Sequence, residues 1–301
     1  MQKGIALLTA MVVTFVCVAI GVELGARQQI DIARTDALMR SGEAYAALMD
    51  LEMATAEKLQ RENTIIGNRP VPGYRVKPAL DVTRWHGHSE IADLHYGFNV
   101  NDLSSESENR EVAEARFRRL LGNLGLAPDL ANAVMDWIDS DTERRHPNGA
   151  EDDVYIGLPN PYRAANGHLV RIEELKMVRG ISEETFRRLS PFLSSLPVDT
   201  PVNINTASRQ VLMIMSPEMT PKQVEAIVAA RQRELFEDMD EVFQLPGLAS
   251  VKINESDLVV DSTHYLVRST VNIGERVYRM ASYLNVTPER FEVLLRIPQE
   301  G

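Results

Sequence analysis

Carboxylates recur through the stretch from Asp136 to Asp153. Asp139-Ser140-Asp141 sets two acids two residues apart, and Asp136 lies three residues earlier. Glu151-Asp152-Asp153 then returns after the turn-forming run His146-Pro147-Asn148-Gly149. A loop that leaves a helix and folds back can gather such oxygens. Calcium takes about six to eight hard oxygen ligands, some from backbone carbonyls, and carboxylates gathered without a cation repel one another. The spacing is not that of an EF-hand, which needs a bidentate glutamate at its closing position. Spacing alone leaves two readings open: a divalent-cation loop and a solvated acidic loop. In the first, Asp139, Asp141, Glu151 and Asp152 are the candidate ligands, with Asp136 and Asp153 secondary. Asp136 sits back on the preceding helix, where it can face solvent instead. Trp137 is expected to anchor the opposite face of that helix in the core.

Other chemistry is sparse. His86-Gly87-His88 has a spacing seen in zinc sites, but no cysteine or helix-spaced partner supports it. No nucleophile elbow, P-loop or dinucleotide fingerprint occurs, so the sequence predicts a protein that is not an enzyme. The formal charge of −11 disfavours general affinity for nucleic acid or anionic lipid. The single cysteine, Cys17, lies in an apolar run, so no intramolecular disulfide can form. Stability beyond the membrane must come from packing, metal or partners.

The elements that would position the acids begin at the amino terminus. Met1-Gln2-Lys3 leads into Gly4, and an unbroken apolar run extends from Ile5 to Val22. At the helical rise this run covers ~27 Å, close to the hydrocarbon thickness of a bilayer. The residues after it make a poor signal-peptidase site. Lys3 favours a cytoplasmic amino terminus. Helical periodicity continues past the membrane, with Leu38, Tyr45, Leu48, Leu51, Thr55 and Leu59 forming one stripe. One helix from Ile5 to about Arg61 is expected, ended by Gly67, Pro70, Pro72 and Gly73.

Short strand patterns follow at Tyr74–Ala79, Val82–Trp85 and His95–Val100. Near the other end His264–Ile273 and Glu275–Val286 read as a hairpin, and Phe291–Ile297 as a last strand. Helical patterns fill the interval: Glu106–Leu121, Leu130–Ile138, Leu169–Val178, Ser182–Leu193 and Pro221–Phe236. The expected class is α+β. The expected organisation is a leader at 1–4, a transmembrane helix at 5–25, its continuation at 26–66, a first β region at 67–101, an inserted α-helical domain at 102–257 and a second β region at 258–301.

The leader, with a spanning helix starting directly after its glycine, resembles that of type IV pilins and type II secretion pseudopilins. Further fragments are similar to the general secretion pathway protein K family. They are Phe98-Asn99-Val100-Asn101-Asp102-Leu103, Asp136-Trp137-Ile138-Asp139-Ser140-Asp141, Gly149-Ala150-Glu151-Asp152, Pro161-Tyr162-Arg163-Ala164-Ala165-Asn166-Gly167 and Val202-Asn203-Ile204-Asn205-Thr206-Ala207. The resemblance implies a pilin-like fold: a long amino-terminal helix, an antiparallel sheet and a large helical insert. It implies a minor pseudopilin at the tip of the pseudopilus, partnered by I- and J-type subunits, other pseudopilins and the inner-membrane assembly platform. It also implies that prepilin peptidase cuts between Gly4 and Ile5, that Ile5 is methylated, and that the chain is a single-pass inner-membrane protein with its bulk in the periplasm. Calcium binding in the family raises the cation-loop reading. One departure is informative: most pilins carry glutamate at the fifth mature position, which here is Thr9. A subunit without that carboxylate suits the end of a fibre.

A second resemblance competes. Asn203–Ala207, Ala226–Arg231 and Leu245-Pro246-Gly247-Leu248 are similar to a helix-hairpin-helix module, with a partial copy at Leu175–Leu193. Its implied function is DNA binding by a membrane-anchored periplasmic protein; a type IV pilus tip subunit is the other alternative. Glu234, Glu237, Asp238, Asp240 and Glu241 flank it. Phosphate binding needs a positive field, so a packing unit is the preferred reading and no nucleic-acid partner is expected.

Overall fold

The computed structural model describes residues 2–61, 75–76 and 86–299. The expected strand at Val82–Trp85 and the helix terminators at 67–73 lie outside these residues, as do the side chains of Ile5 and Thr9. A single helix, α1, runs from Gln2 to Arg61, ~90 Å at the helical rise. From Ala10 onward its apolar part is covered by nothing among the described residues: Met11, Phe15, Val18, Val22 and Ile30 are all exposed. Pairs such as Glu23–Arg27 and Asp36–Arg40 line the helix surface one turn apart.

From Ala44 onward α1 docks on a sheet. Ala44, Ala47, Leu48 and Leu51 meet Val271, Ile273 and Met280. Ala56 and Leu59 meet Ile91, Tyr265, Val267 and Leu284. Leu38 and Tyr45, expected in the same stripe, are exposed. Burial begins only at Ala44, where small alanines let the helix approach the strands closely.

The sheet is five-stranded, in the order β1-β2-β7-β8-β9. Its strands are β1 (Arg75–Val76), β2 (His86–Asp93), β7 (His264–Ile273), β8 (Arg276–Val286) and β9 (Phe291–Gln299), and every pairing is antiparallel. Tyr265, Val267, Val271 and Ile273 of β7 and Met280, Leu284 and Val286 of β8 share core clusters with α1. Gly274, at φ +61, makes the turn between the two strands. The histidines of His86-Gly87-His88 belong to β2, opposite Asn272 and Thr270 of β7.

The chain leaves the sheet after Asp93 and returns at His264, so the insertion is wider than the predicted 102–257. Phe98–Asn99, expected in the sheet, forms β3 and pairs in parallel with β4 (Leu193–Ser194). Leu258–Val259, placed in the second β region by the sequence, forms β6 and pairs in parallel with β5 (Val202–Asn203). Both segments therefore belong to the insert, because their hydrogen-bond partners do.

These two pairs open and close two lobes built alike. The first lobe carries α2 (Arg110–Asn123), α3 (Leu130–Ile138), α4 (Asp152–Tyr155), a 3₁₀ segment at Ile172–Met177 and α5 (Glu183–Leu189). The second carries α6 (Arg209–Ile214), α7 (Pro221–Arg233) and α8 (Met239–Phe243). In each, an Asn-x-Asn pair that starts at the end of the opening strand is buried and bonds backbone. Asn101 Nδ2 donates to the carbonyls of Leu169 at 3.0 Å and Leu196 at 2.9 Å. Asn205 Nδ2 donates to those of Phe236 at 3.0 Å and Val260 at 3.1 Å. Gly97 is required ahead of β3, since a Cβ there would lie 2.7 Å from the Leu193 carbonyl carbon. Ile204, Ala207, Ile227, Val228 and Leu248, the apolar positions of the hairpin-like segments, are buried in one core.

A polar joint ties insert to sheet. His95 Nδ1 lies 2.9 Å from the Pro201 carbonyl, which can only accept, so Nδ1 carries the proton. Nε2 then accepts from the Thr263 N–H at 3.3 Å and neighbours His264 Nδ1 at 3.3 Å. Thr206 donates to Asp93, whose Oδ1 also accepts from the His95 N–H at 2.8 Å. Burial lowers His95 and His264 to about 4, and raises Asp93 to about 6. For a base depressed on folding, the stability contribution is whole above the unfolded value near 6.5 and is lost as pH falls from there toward 4. Asp93 acts in the opposite sense, taking up its proton in the folded state first. Imidazole C2 hydrogen exchange, followed by mass spectrometry across pH 4–8, should place both histidine midpoints below pH 5. A midpoint above 6 for His95 contradicts the neutral tautomer.

Candidate metal centre

Helix α3 forms one wall of the acidic loop. Every residue from Ala131 to Ile138 is buried, because the helix runs through the centre of the first lobe rather than along its surface. It ends where Asp139 turns to extended backbone. The chain then loops out and re-enters at Glu151, just before α4. Beneath the loop, Trp137 meets Tyr155 and Tyr162 edge-on at 5.2 and 6.2 Å between ring centres. Trp137 is thus the core anchor expected of it.

Asp139, Asp141 and Glu151 each present an oxygen, and these atoms lie within 4.8 Å of one another. Asp139 and Glu151 are buried, while Asp141 opens to solvent. Asp139 Oδ1 and both carboxylate oxygens of Glu151 are buried without a hydrogen-bond partner. Buried carboxylate oxygens left unmatched are costly. Burial, with the charges of Asp136, Asp139, Asp141 and Asp152, pushes Glu151 up to about 7. Burial also raises Asp139, although Arg145 opposes the shift. A hard cation meets this demand directly, since carboxylate oxygens facing one point are its ligand set.

The other predicted ligands stand elsewhere. Asp152 Oδ1 accepts from the Ala164 N–H at 2.9 Å, and its carboxylate is not among the three that converge. Asp153 is exposed and paired with Arg144, which holds its carboxyl below the usual range. Asp136 does not face solvent. It is fully buried and bonded by Arg145, through Nη1 at 2.9 Å and the backbone N–H at 3.1 Å. Arg145 Nη1 also reaches Asp139 Oδ2. Sequence reasoning passed over Arg145. The signal available was its position, as a cation within a run of anions.

Gly149 closes the loop where no side chain fits. A Cβ there would lie 2.3 Å from both the Arg145 carbonyl oxygen and Asp136 Oδ2. Gly149→Ala must therefore push the loop away from α3. We expect this change to weaken calcium binding by about tenfold or more, measured by calorimetric titration of the full chain in detergent; unchanged affinity counts against a loop held at this point.

Two family models, both described as type II secretion system (T2SS), protein K, match residues 97–198 and 202–261, which are the two lobes of the insert. The type II secretion system protein K of Pectobacterium carotovorum subsp. carotovorum is 32% identical over 318 aligned positions, covering 98% of this chain and 96% of that protein. Its counterpart from Pseudomonas aeruginosa is 31% identical, covering 94% and 88%. Among solved structures, a chain from the crystal structure of the GspK-GspI-GspJ complex of enterotoxigenic Escherichia coli superposes with a TM-score of 0.69. That chain is 24% identical, and the match covers 91% of this chain and all of that one. This last likeness is one of fold.

Proposed function

The chain belongs to the type II secretion system protein K family, the minor pseudopilins, and on that premise we propose that it caps the tip of a periplasmic pseudopilus. Its partners there are I- and J-type minor pseudopilins. The observation that carries this reading is α1. Its first half is apolar and uncovered, its second half is docked on the sheet, and no break separates them. Such a rod can leave a bilayer and pack among other rods while holding its head rigidly at one end. The head carries two extra lobes, a bulk that suits a terminal place in a fibre better than a repeated one.

The apolar helix fits a single-pass anchor. We place it in the inner membrane, with the head in the periplasm, after prepilin peptidase has cut between Gly4 and Ile5 and Ile5 has been methylated. Other pseudopilins and the assembly platform are the further partners in this reading, and the work is structural rather than enzymatic. Co-expression of the full chain with I- and J-type subunits and the peptidase is the test. A stable three-subunit complex whose copy of this chain begins at Ile5 is expected. A chain that keeps Met1–Gly4 beside active peptidase, or that purifies alone, defeats the proposal.

Asp139, Asp141 and Glu151 are assigned by the same reading to a calcium ion, supported by their convergence and by the unpartnered oxygens of Asp139 and Glu151. The ion would supply a structural cross-link between the end of α3 and the start of α4.

A further inference from the structure

We propose that Arg145 is the positioning residue of the calcium site: it preforms the acidic loop and aims Asp139 at the ion without touching the ion itself. The inference rests on the calcium reading above and assigns a role to a residue outside the ligand set.

Its basis is how the oxygens are divided. Asp139 Oδ2 is taken by the Arg145 guanidinium, while Oδ1 has no partner, and Asp139 is one of the converging trio. One oxygen is thus spent on orientation and the other is left for a ligand. The same nitrogen, Nη1, holds Asp136 Oδ1 at 2.9 Å, and the Arg145 backbone N–H reaches Asp136 Oδ2 at 3.1 Å. Asp136 is fully buried in α3, so it is a fixed post to which the loop is tied at two points. The loop is fastened further within itself and to the same helix. The Gly149 N–H donates to the Arg145 carbonyl at 3.0 Å, and Asn132 Nδ2 donates to the Pro147 carbonyl at 2.7 Å. Residues 145–149 are therefore placed by protein contacts alone, and Glu151 follows two residues on.

Two effects of the guanidinium oppose each other. Its charge repels an incoming cation, and its bonds remove the need to order a loop when the ion binds. The charge is largely spent locally, since Arg145 faces Asp136 and one oxygen of Asp139, and Asp136 takes no part in the converging set. Outer partners that orient metal ligands commonly matter by about tenfold to a hundredfold in affinity. Pre-organisation should therefore win, and removing Arg145 should weaken the site rather than free it.

Calcium is titrated calorimetrically into the full chain in detergent, for the wild type, Arg145→Lys and Arg145→Gln, with the melting temperature of each recorded in chelator. The wild-type titration alone tests the calcium reading; no binding there ends that reading and this inference with it. With wild-type binding present, Arg145→Gln should lose tenfold or more in affinity. Lysine supplies a point charge but not a planar fork, so Arg145→Lys should recover part of the loss while melting in chelator within a degree or two of wild type. An affinity equal to or above wild type in Arg145→Gln overturns the proposal, since the guanidinium would then be only a repelling charge. Equal affinity for wild type and Arg145→Lys overturns it too, because any cation would serve. If Arg145→Gln does not fold, the Lys comparison decides the matter.

Discussion

Chelating calcium should lower the melting temperature of the full chain in detergent by about 5–10 °C, and Glu151→Gln or Asp139→Asn should remove most of that difference. The size follows from mass action. An ion that binds the folded state alone, at about a hundred times its dissociation constant, stabilises by about 2.7 kcal/mol. For a head of this size each kcal/mol moves the midpoint by about 2–4 °C. The sign has an independent root. Without an ion, Glu151 is a buried carboxyl among like charges, held up at about 7. A carboxyl raised on folding costs stability wherever it is charged, and the cost fades as pH falls through its folded value toward 4.5, the unfolded one. Acidification in chelator from pH 8 to 6 should therefore narrow the gap to the calcium-bound form. Glu151→Gln should raise melting in chelator while abolishing the calcium response, because it removes an unmatched charge; Asp139→Asn should abolish the response without that gain, because it also gives up the pair with Arg145. Equal melting with and without calcium, in the wild type, defeats the metal centre. A loss of calcium response from Asp153→Asn as large as that from Glu151→Gln would relocate it, since Asp153 is exposed and engaged by Arg144.

The residues that carry this prediction were legible to different depths. Asp139, Asp141 and Glu151 were visible as acids flanking a turn. Which of the neighbouring acids join them was not, because that depends on which other groups engage each carboxylate in the fold. Asp152 is drawn off by the Ala164 N–H twelve residues away, and Asp153 by Arg144. Asp136 read as a secondary ligand that could instead face solvent, as helix carboxylates usually do. It is buried because Arg145 supplies the opposite charge from across the loop.

The fold divides along similar lines. The hairpin of β7 and β8 followed from two strand-like runs around Asn272-Ile273-Gly274-Glu275, and the predicted and observed spans differ by one residue. The long helix followed from its period. By contrast β2, His-Gly-His-Ser-Glu-Ile-Ala-Asp, has little strand propensity. It is a strand because β7 lies beside it along its whole length and the Ser89 and Ser269 hydroxyls meet at 2.9 Å beneath α1. The helix expected at Leu169–Val178 is instead a 3₁₀ segment from Ile172 to Met177. Glu174 fastens its start by accepting from the Val170 and Arg171 N–H groups, and Gly180, at φ +84, closes the run before α5. The twofold construction of the insert was hidden in two Asn-x-Asn fragments. Each looked like a local motif, and only its long-range backbone bonds show it to be the clasp of a lobe.

Glu52→Ala should cost about 3 kcal/mol in the unfolding free energy of the head, the largest loss expected from one substitution on α1 outside its apolar face. Glu52 is a buried carboxylate at the helix–sheet interface, 3% exposed. Arg296 of β9 grips it in a fork, with Nη2 at 2.7 Å from Oε1 and Nε at 3.0 Å from Oε2. The Ser282 hydroxyl of β8 donates to Oε2. Removing the carboxylate leaves a guanidinium and a hydroxyl facing an empty site, and such one-sided losses cost about 3–5 kcal/mol when both partners are buried. Arg296 keeps some contact with water, side-chain exposure 36%, which places the expected loss at the lower end. Arg296→Ala should cost at least as much as Glu52→Ala, because it leaves the buried carboxylate without its counter-charge and with only the Ser282 hydroxyl bonding it. The double variant should fall well short of the sum of the two, which a double-mutant cycle in denaturant reads directly. The consequence for assembly is mechanical. The apolar half of α1 is uncovered and must be pulled through a change of surroundings, and the load passes to the head through the docked half. Besides apolar contacts, the fork at Glu52 is a bond across that seam that resists sliding along the helix axis. In a secretion assay Glu52→Ala should therefore lose more export than its loss of folded protein accounts for, whereas an isosteric core change such as Leu51→Met should not. Export that simply tracks the amount of folded chain in both variants would leave the fork a stabilising contact with no part in transmitting force.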